Sequence, residues 1–243
     1  MTRFDTTNWS LICRASASAT EVRQGALAEL CQAYWYPLYS FARGCAGNHE
    51  DACDLTQAFF VHLIEKHALD GLSPSHGRFR AFLLASFKHF QSDVRDRALT
   101  LKRGGDWVRI PWDAELLESR YGAAARAGED PEQLFDRQWA MTVIDRARER
   151  LRTEHVETGR VREFDVLWLC LVPDGDAASS DALAKALNST RGAARVALHR
   201  FRRRFGRALR AEIASTVDDA EEVESELRFL LEVLAGRNDR SVR

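Results

Sequence analysis

One segment of this chain, residues 190–210, constrains the fold and its surroundings more than any other. It reads TRGAARVALHRFRRRFGRALR and carries eight arginines and no acidic residue, although the formal net charge of the whole chain is only -1. Threonine is a good helix N-cap, and the residues after it favour helix. Helical spacing separates an apolar side from a cationic stripe. The apolar side is Leu198, Phe201, Phe205 and Leu209, and the stripe is Arg191, Arg195, His199 and Arg203. A solvated charge run is the alternative, but such runs usually alternate in sign. The segment therefore predicts a helix that docks by one face and presents the other to a polyanion.

A short helix predicted at residues 179–187, SSDALAKAL, precedes the basic segment. Asn188 then interrupts it, and asparagine tolerates the left-handed backbone conformation that helix ends need. A short helix, a three-residue turn and a longer basic helix make up a helix-turn-helix, whose second helix enters the major groove of DNA. The pattern predicts DNA binding but not what the binding accomplishes.

The rest of the sequence predicts an all-α chain, because no alternating pattern typical of a β-strand reaches a useful length. Further helices are predicted at residues 27–43, 51–66, 78–97, 113–121, 130–154, 161–172 and 220–234. Asp130 is predicted to cap its helix, with Pro131 in the first turn and Gln133 completing a capping-box-like pattern. Glycine, serine and proline mark loops at 70–77 and 173–176 and a linker between two helical blocks.

Composition sets the outer limits on the class of protein. The 243 residues are 45% hydrophobic and 29% charged, which suffices for one or two packed domains. No apolar run approaches the ~20 residues of a membrane span, and the N-terminus lacks the apolar core of a secretory signal. Five cysteines, an odd number at irregular spacing, favour a reducing compartment over a disulfide framework. We therefore expect a cytoplasmic protein without a membrane span.

Three motifs follow one another along the chain. They are DACDLTQAFFVHLIEK at 51–66, GRFRAFLLASFKHFQSDVRDR at 77–97 and LAKALNSTRGAARVALHRFRRRF at 183–205. In this order they resemble the DxxDLxQxxF helix, the promoter-melting helix and the C-terminal helix-turn-helix of bacterial RNA polymerase sigma factors. The chain is similar to the extracytoplasmic-function (ECF) group, in which two helical domains are joined by a linker.

The resemblance implies a division into five parts. These are an N-terminal extension (1–25), a helical bundle like sigma region 2 (26–99), a linker (100–129), a helix-turn-helix domain like sigma region 4 (130–213), and an acidic C-terminal helix and tail (214–243). It also implies core RNA polymerase and promoter DNA as partners, with an anti-sigma factor as a candidate third. No cofactor is expected.

The positions that bind polymerase in the family are occupied here by Asp51, Asp54, Gln57 and Phe60. A polar patch beside an exposed aromatic suits such a partner. The alternative for the aspartates is that they only favour the positive end of their helix. This chain departs from the family with Cys53 and Ala58, where glutamates are frequent.

The promoter-melting helix of the family captures unstacked bases, and Arg80, Lys88, Arg95 and Arg97 are the cations expected to hold the DNA. The phenylalanines Phe79, Phe82, Phe87 and Phe90 are more typical of a core than of base stacking, since they recur at helical spacing. His76 and His89 are further candidates, and the loop at 70–77 is expected to supply the wall of a base pocket.

The recognition helix of the family reads the minus-thirty-five element of the promoter. The matching positions here are Arg191, Arg195, Val196, His199 and Arg200, with Arg203 expected on phosphate. Arg191 replaces a glutamate that is frequent in the family, so the base preference cannot be transferred.

Other functions have weaker support in the sequence. Cys45, His49 and Cys53 have a spacing that suggests zinc, but no fourth ligand lies nearby, and ordinary cysteines at a helix turn are the favoured interpretation. No phosphate loop, nucleophile elbow or HExxH motif occurs, so an enzyme is not expected.

Two alternatives stay open. A free-standing helix-turn-helix regulator with an N-terminal interaction domain competes with the sigma factor. The carboxylates of the acidic C-terminal helix either mask the arginine face of the recognition helix, or its leucine stripe caps the second domain.

Overall fold

The computed structural model describes residues 20–65, 69, 78–100, 114–125, 128–171, 180–214 and 220–236. Within these ranges the regular secondary structure is helical and no strand occurs, which confirms the predicted all-α fold for this part of the chain. In chain order the helices are α1 (Thr20–Ala46), α2 (His49–Glu65), α3 (Phe79–Thr100), α4 (Ala114–Ala124), α5 (Pro131–Glu157), α6 (Val161–Leu169), α7 (Ser180–Ala186), α8 (Arg191–Ala214) and α9 (Ala220–Leu234). The loops predicted at 70–77 and 173–176, and most of the N-terminal extension, lie outside the described residues.

The described residues belong to two compact units, one within 1–142 and 213–243 and the other within 143–212. The boundary falls inside α5, between Thr142 and Val143, and again near the end of α8. The C-terminal helix α9 therefore belongs to the same unit as α1 to α4. The five-part division implied by the sigma resemblance remains a prediction.

Aromatic side chains fill the core of the first unit. Trp35 and Tyr39 of α1 stack with ring centroids 5.3 Å apart. Phe87 of α3 meets Phe59 of α2 edge to face at 5.0 Å and Phe41 of α1 at 5.8 Å. Such edge-to-face pairs add about 0.5–1.5 kcal/mol each beyond the burial of their area. These contacts pack α2 and α3 against α1.

The helix α4 docks onto α1 through one carboxylate. Glu118 accepts hydrogen bonds from Arg43 Nε at 2.9 Å and Nη2 at 3.1 Å, and from the Tyr39 hydroxyl at 2.6 Å. The guanidinium of Arg120 also lies 4.0 Å from the ring centroid of Tyr36. A segment that the sequence assigns to a linker thus contributes a packed helix to the first unit.

The start of α5 follows the local signals in the sequence. Asp130 Oδ1 accepts the backbone N–H of Glu132 at 3.0 Å, and Pro131 occupies the first helical position. Gly44 of α1 lies close to this start, because a Cβ there would be 3.2 Å from the Pro131 side chain. The predicted cap at Asp130 is confirmed.

Candidate nucleic-acid interface

The turn between α7 and α8 has the geometry that the sequence predicts. Asn188 adopts a left-handed backbone with φ of 47°. Its N–H donates to the carbonyl of Lys185 at 3.2 Å, and the N–H of Ser189 donates to that of Ala184 at 2.9 Å. These two bonds form a Schellman motif, which satisfies the last carbonyls of α7 and ends the helix at a fixed angle. The turn therefore sets the direction in which α8 begins.

The start of α8 is capped and tied to α7. Thr190 Oγ1 accepts the N–H of Ala193 at 3.2 Å, as expected of a threonine N-cap. Arg191 forms an ion pair with Asp181 of α7. Both side chains are mostly exposed, so this pair contributes little stability but restrains Arg191.

The apolar side of α8 packs against the rest of its unit through an aromatic cluster. Phe201 is buried, and its ring lies 5.8 Å from both His155 of α5 and Phe164 of α6. The His155 Nδ1–H donates to the Leu151 carbonyl at 2.6 Å, which gives this buried ring a polar partner. Phe205 meets Trp168 of α6 edge to face at 5.4 Å. The apolar face predicted for α8 is thus the docked face.

The opposite side of α8 is the candidate nucleic-acid interface. The predicted recognition residues are all exposed: Arg191, Arg195, Val196, His199, Arg200 and Arg203. Val196 keeps 48% of its surface exposed, and an aliphatic side chain of this kind can contact a thymine methyl group. We call this set the recognition face.

Not every arginine of α8 is available to a ligand. Arg204 is ion-paired with Glu154 of α5, and Arg202 donates to the Cys170 carbonyl at 3.3 Å. Arg207 is exposed and, like Arg195, Arg200 and Arg203, pairs with no carboxylate among the described residues. Sequence reasoning missed Arg207, although its place four residues after Arg203 extends the same stripe.

The cations predicted on α3 have different surroundings. Lys88 and Arg95 are exposed, and Lys88 forms an ion pair with Glu132 at 2.5 Å. Arg97 lies in α3, but its side chain is outside the described residues. Phe79 and Phe87 are buried, so these two rings belong to the core. His89 is exposed, whereas His76 lies outside the described residues.

Arg80 does not face solvent in this structure, so the expectation of an exposed cation at this position is wrong, while its contact with DNA stays a prediction. Its side chain is 6% exposed and ion-paired with two fully buried carboxylates, Asp136 and Glu226, each at 2.9 Å. Its Cζ lies 3.9 Å from the ring centroid of Phe229 and 5.0 Å from that of Trp139. A signal for this cluster was present in the sequence, since Glu226 interrupts the leucine-rich side of α9. A buried carboxylate needs a cation.

The predicted polymerase-binding residues of α2 divide into exposed and buried members. Asp54 is exposed and Gln57 is half-buried, whereas Phe60 is 7% exposed and packs in the core. The expectation of an exposed aromatic at Phe60 is therefore wrong. Its ring is buried because it faces the apolar side chains of Leu30 in α1 and Leu83 in α3, with which it lines a small cavity.

Asp51 has a structural task at the start of α2. Its backbone N–H donates to Asn48 Oδ1 at 2.8 Å, and its Oδ2 accepts from Asn48 Nδ2 at 2.7 Å. This reciprocal pair resembles a capping box and leaves the carboxylate exposed. Both readings of Asp51, as a cap and as a contact residue, are compatible with this geometry.

The residues considered for zinc take part in another network. The Tyr39 hydroxyl lies 2.9 Å from His49 Nδ1 and donates to Glu118. Cys53 Sγ lies 3.5 Å from His49 Nε2. The hydrogen bonds from Arg43 lower the pKa of Glu118 to about 2, and burial followed by the bond to Glu118 raises that of Tyr39. Within the described ranges no three histidine, cysteine or acidic side chains cluster as a metal site would require.

In the part of the chain that the structure describes, no helix combines the length and the apolar character needed to cross a membrane. Compared with family models, curated proteins and solved structures, the chain has no match in any of the three.

Proposed function

We propose that this protein is an RNA polymerase sigma factor of the ECF type, which binds core polymerase, recognises promoter DNA and helps to open it. The observation that carries the proposal is the recognition face of α8, which a capped helix-turn-helix presents to solvent. Arginines there can donate two hydrogen bonds to a guanine edge or neutralise phosphates. The dimensions of the major groove admit such a helix.

The melting of DNA is the second part of the proposal. Among the described side chains of α3, Lys88 and Arg95 are exposed cations. Arg95 suits contact with the phosphates of a displaced strand, and Lys88 does so when it leaves its ion pair with Glu132. The buried phenylalanines of α3 support a rigid platform for these cations. We assign base capture to none of them, since Phe79 and Phe87 belong to the core.

Binding of core polymerase is assigned to the exposed side of α2, with Asp54 as its principal charge. Asp54→Lys reverses that charge without touching the cap between Asn48 and Asp51. Reversal of a charge within an electrostatically complementary interface is expected to weaken binding at least about 10-fold. The matched control is Glu65→Lys, which makes the same change at the exposed far end of α2.

Association with core polymerase can be measured by surface plasmon resonance for the wild type and both variants. The proposal expects tight binding by the wild type and by Glu65→Lys, with weaker binding by Asp54→Lys. Absence of binding by the wild type would refute the sigma role. Equal binding by both variants would show that Asp54 is not part of the polymerase contact.

A free-standing helix-turn-helix regulator is the second candidate. The burial of Phe60 and the capping role of Asp51 favour it, because they leave α2 with fewer groups for polymerase. Regulators of this class bind half-sites as dimers, about one helical turn apart. Sedimentation of the chain with duplex DNA distinguishes the two: a dimer on a palindrome in the absence of polymerase supports the regulator.

A further inference from the structure

The C-terminal helix α9 holds two arginines at the start of α3. Arg80 donates from Nε to Glu226 Oε2 at 2.9 Å and from Nη2 to Oε1 at 3.2 Å. Arg78 Nε lies 2.7 Å from the same Oε1, and its Nη2 donates to Ser225 Oγ at 2.9 Å. The Glu226 side chain is fully buried, so one buried carboxylate of α9 engages both the buried Arg80 and the partly exposed Arg78.

Two elements contribute to the surroundings of Arg80, and only one of them is α9. Asp136 and Trp139 belong to α5, whereas Glu226 and Phe229 belong to α9. If α9 leaves, Arg80 keeps one carboxylate but loses the bidentate one and the ring 3.9 Å from its Cζ. Arg78, already 36% exposed, loses its carboxylate as well.

We propose that α9 is an internal competitor for nucleic acid, whose displacement frees the guanidinium groups of Arg78 and Arg80 at the N-terminal end of α3. A carboxylate and a phosphate both accept paired hydrogen bonds from a guanidinium, so Glu226 occupies these groups as a phosphate would. This inference rests on the proposed function, because it concerns the helix assigned to DNA melting. Once α9 is displaced, Arg80 can make the contact with DNA that the resemblance to sigma factors implies.

The chemistry of the contact favours competition over a purely structural role. Leu230 and Val233 of α9 are buried and anchor the helix without any charge. Buried ion pairs generally stabilise a fold no better than apolar side chains of similar volume. An ion pair can also exchange partners, so a phosphate can take the place of the Glu226 carboxylate beside the two arginines.

The test compares Glu226→Gln with Glu232→Gln in the full chain. Each variant removes one negative charge from α9, but Glu232 is exposed and serves as the matched control. The probe is a fluorescein-labelled single-stranded oligonucleotide of mixed sequence, whose affinity is measured by fluorescence anisotropy between about 50 and 200 mM salt. Glu226→Gln is expected to bind more tightly, with a salt slope steeper by about 0.7 for each arginine released. Equal salt slopes for the two variants would refute the proposal that α9 competes with nucleic acid.

A measurement on the wild type covers the case in which Glu226→Gln does not fold. Saturation with the same oligonucleotide is expected to speed amide hydrogen exchange in residues 220–234, because the ligand displaces α9. Exchange that is unchanged or slower in this helix would overturn the inference. Circular dichroism of both variants establishes whether the affinity comparison applies.

The inference and the proposed function fail in different ways. A wild type that does not bind core polymerase refutes the sigma role, yet the comparison of the two glutamine variants still reports on Arg78 and Arg80. Equal salt slopes for the two glutamine variants refute the competition by α9, but they do not bear on the binding of core polymerase.

Discussion

Replacing the free arginines of α8 by glutamine is expected to lower the salt dependence of duplex binding in steps. Arg195, Arg200, Arg203 and Arg207 are exposed and unpaired among the described residues. Each phosphate contact contributes a slope of about 0.9 in log affinity against log salt, so a fourfold rise in salt costs about 3.5-fold per contact. On a duplex that lacks the promoter element, where none of the four arginines reads a base, four phosphate contacts give a slope of about 3.6 and a loss of about 150-fold between about 50 and 200 mM salt.

The assay is fluorescence anisotropy of a labelled duplex over that salt range, with single and combined variants. Arg204→Gln is the matched control, because it removes the same charge from α8 but at a side chain ion-paired with Glu154. Its slope is expected to equal that of the wild type. If Arg204→Gln lowers the slope as much as Arg203→Gln does, net charge rather than the recognition face governs binding, and the reasoning is refuted.

Three further predictions concern stability, each measured by urea or thermal unfolding. Arg80→Met leaves two buried carboxylates without this guanidinium and is expected to cost about 3–5 kcal/mol, whereas a cost below about 1 kcal/mol would contradict the buried pairing. Glu118, whose pKa falls to about 2 in the fold from an ordinary 4.5, stabilises the protein above pH 4.5, and this contribution is lost as the pH falls towards 2. Because its side chain is 37% exposed and screened, Glu118→Gln should cost only about 1 kcal/mol at pH 7 and flatten the acid limb of the stability curve; an unchanged acid limb would contradict the assignment. Asn188→Val is expected to cost about 1–2 kcal/mol because of the left-handed backbone, while Asn188→Gly, which tolerates it, should be nearly neutral; equal costs would refute this.

The local features of the fold were predictable from the sequence. The caps at Asp130 and Thr190 and the left-handed Asn188 each depend on contacts within a few residues, and the structure confirms all three. The helix α9 begins and ends at the predicted residues, 220 and 234. Signals of this kind need no knowledge of the tertiary packing.

The long-range contacts were not predictable in the same way. Helical periodicity identifies an apolar face but not the element that covers it. The resemblance to sigma factors implies exposed side chains at Phe60 and Arg80, and tertiary packing buries both. The bond between Arg80 and Glu226 joins residues 146 positions apart, and no local rule connects them. The exposed side of α8 was predicted correctly because arginines without acidic neighbours are poor candidates for burial.

The central claim is tested most directly by transcription with purified core RNA polymerase. Genomic fragments serve as templates, the 5′ ends of the transcripts are mapped, and a different specificity subunit provides the control for an active polymerase. With this chain added, discrete transcripts that share a sequence element upstream of their start sites are expected. If the control subunit initiates while this chain yields no transcript above core polymerase alone, the protein does not act as a sigma factor.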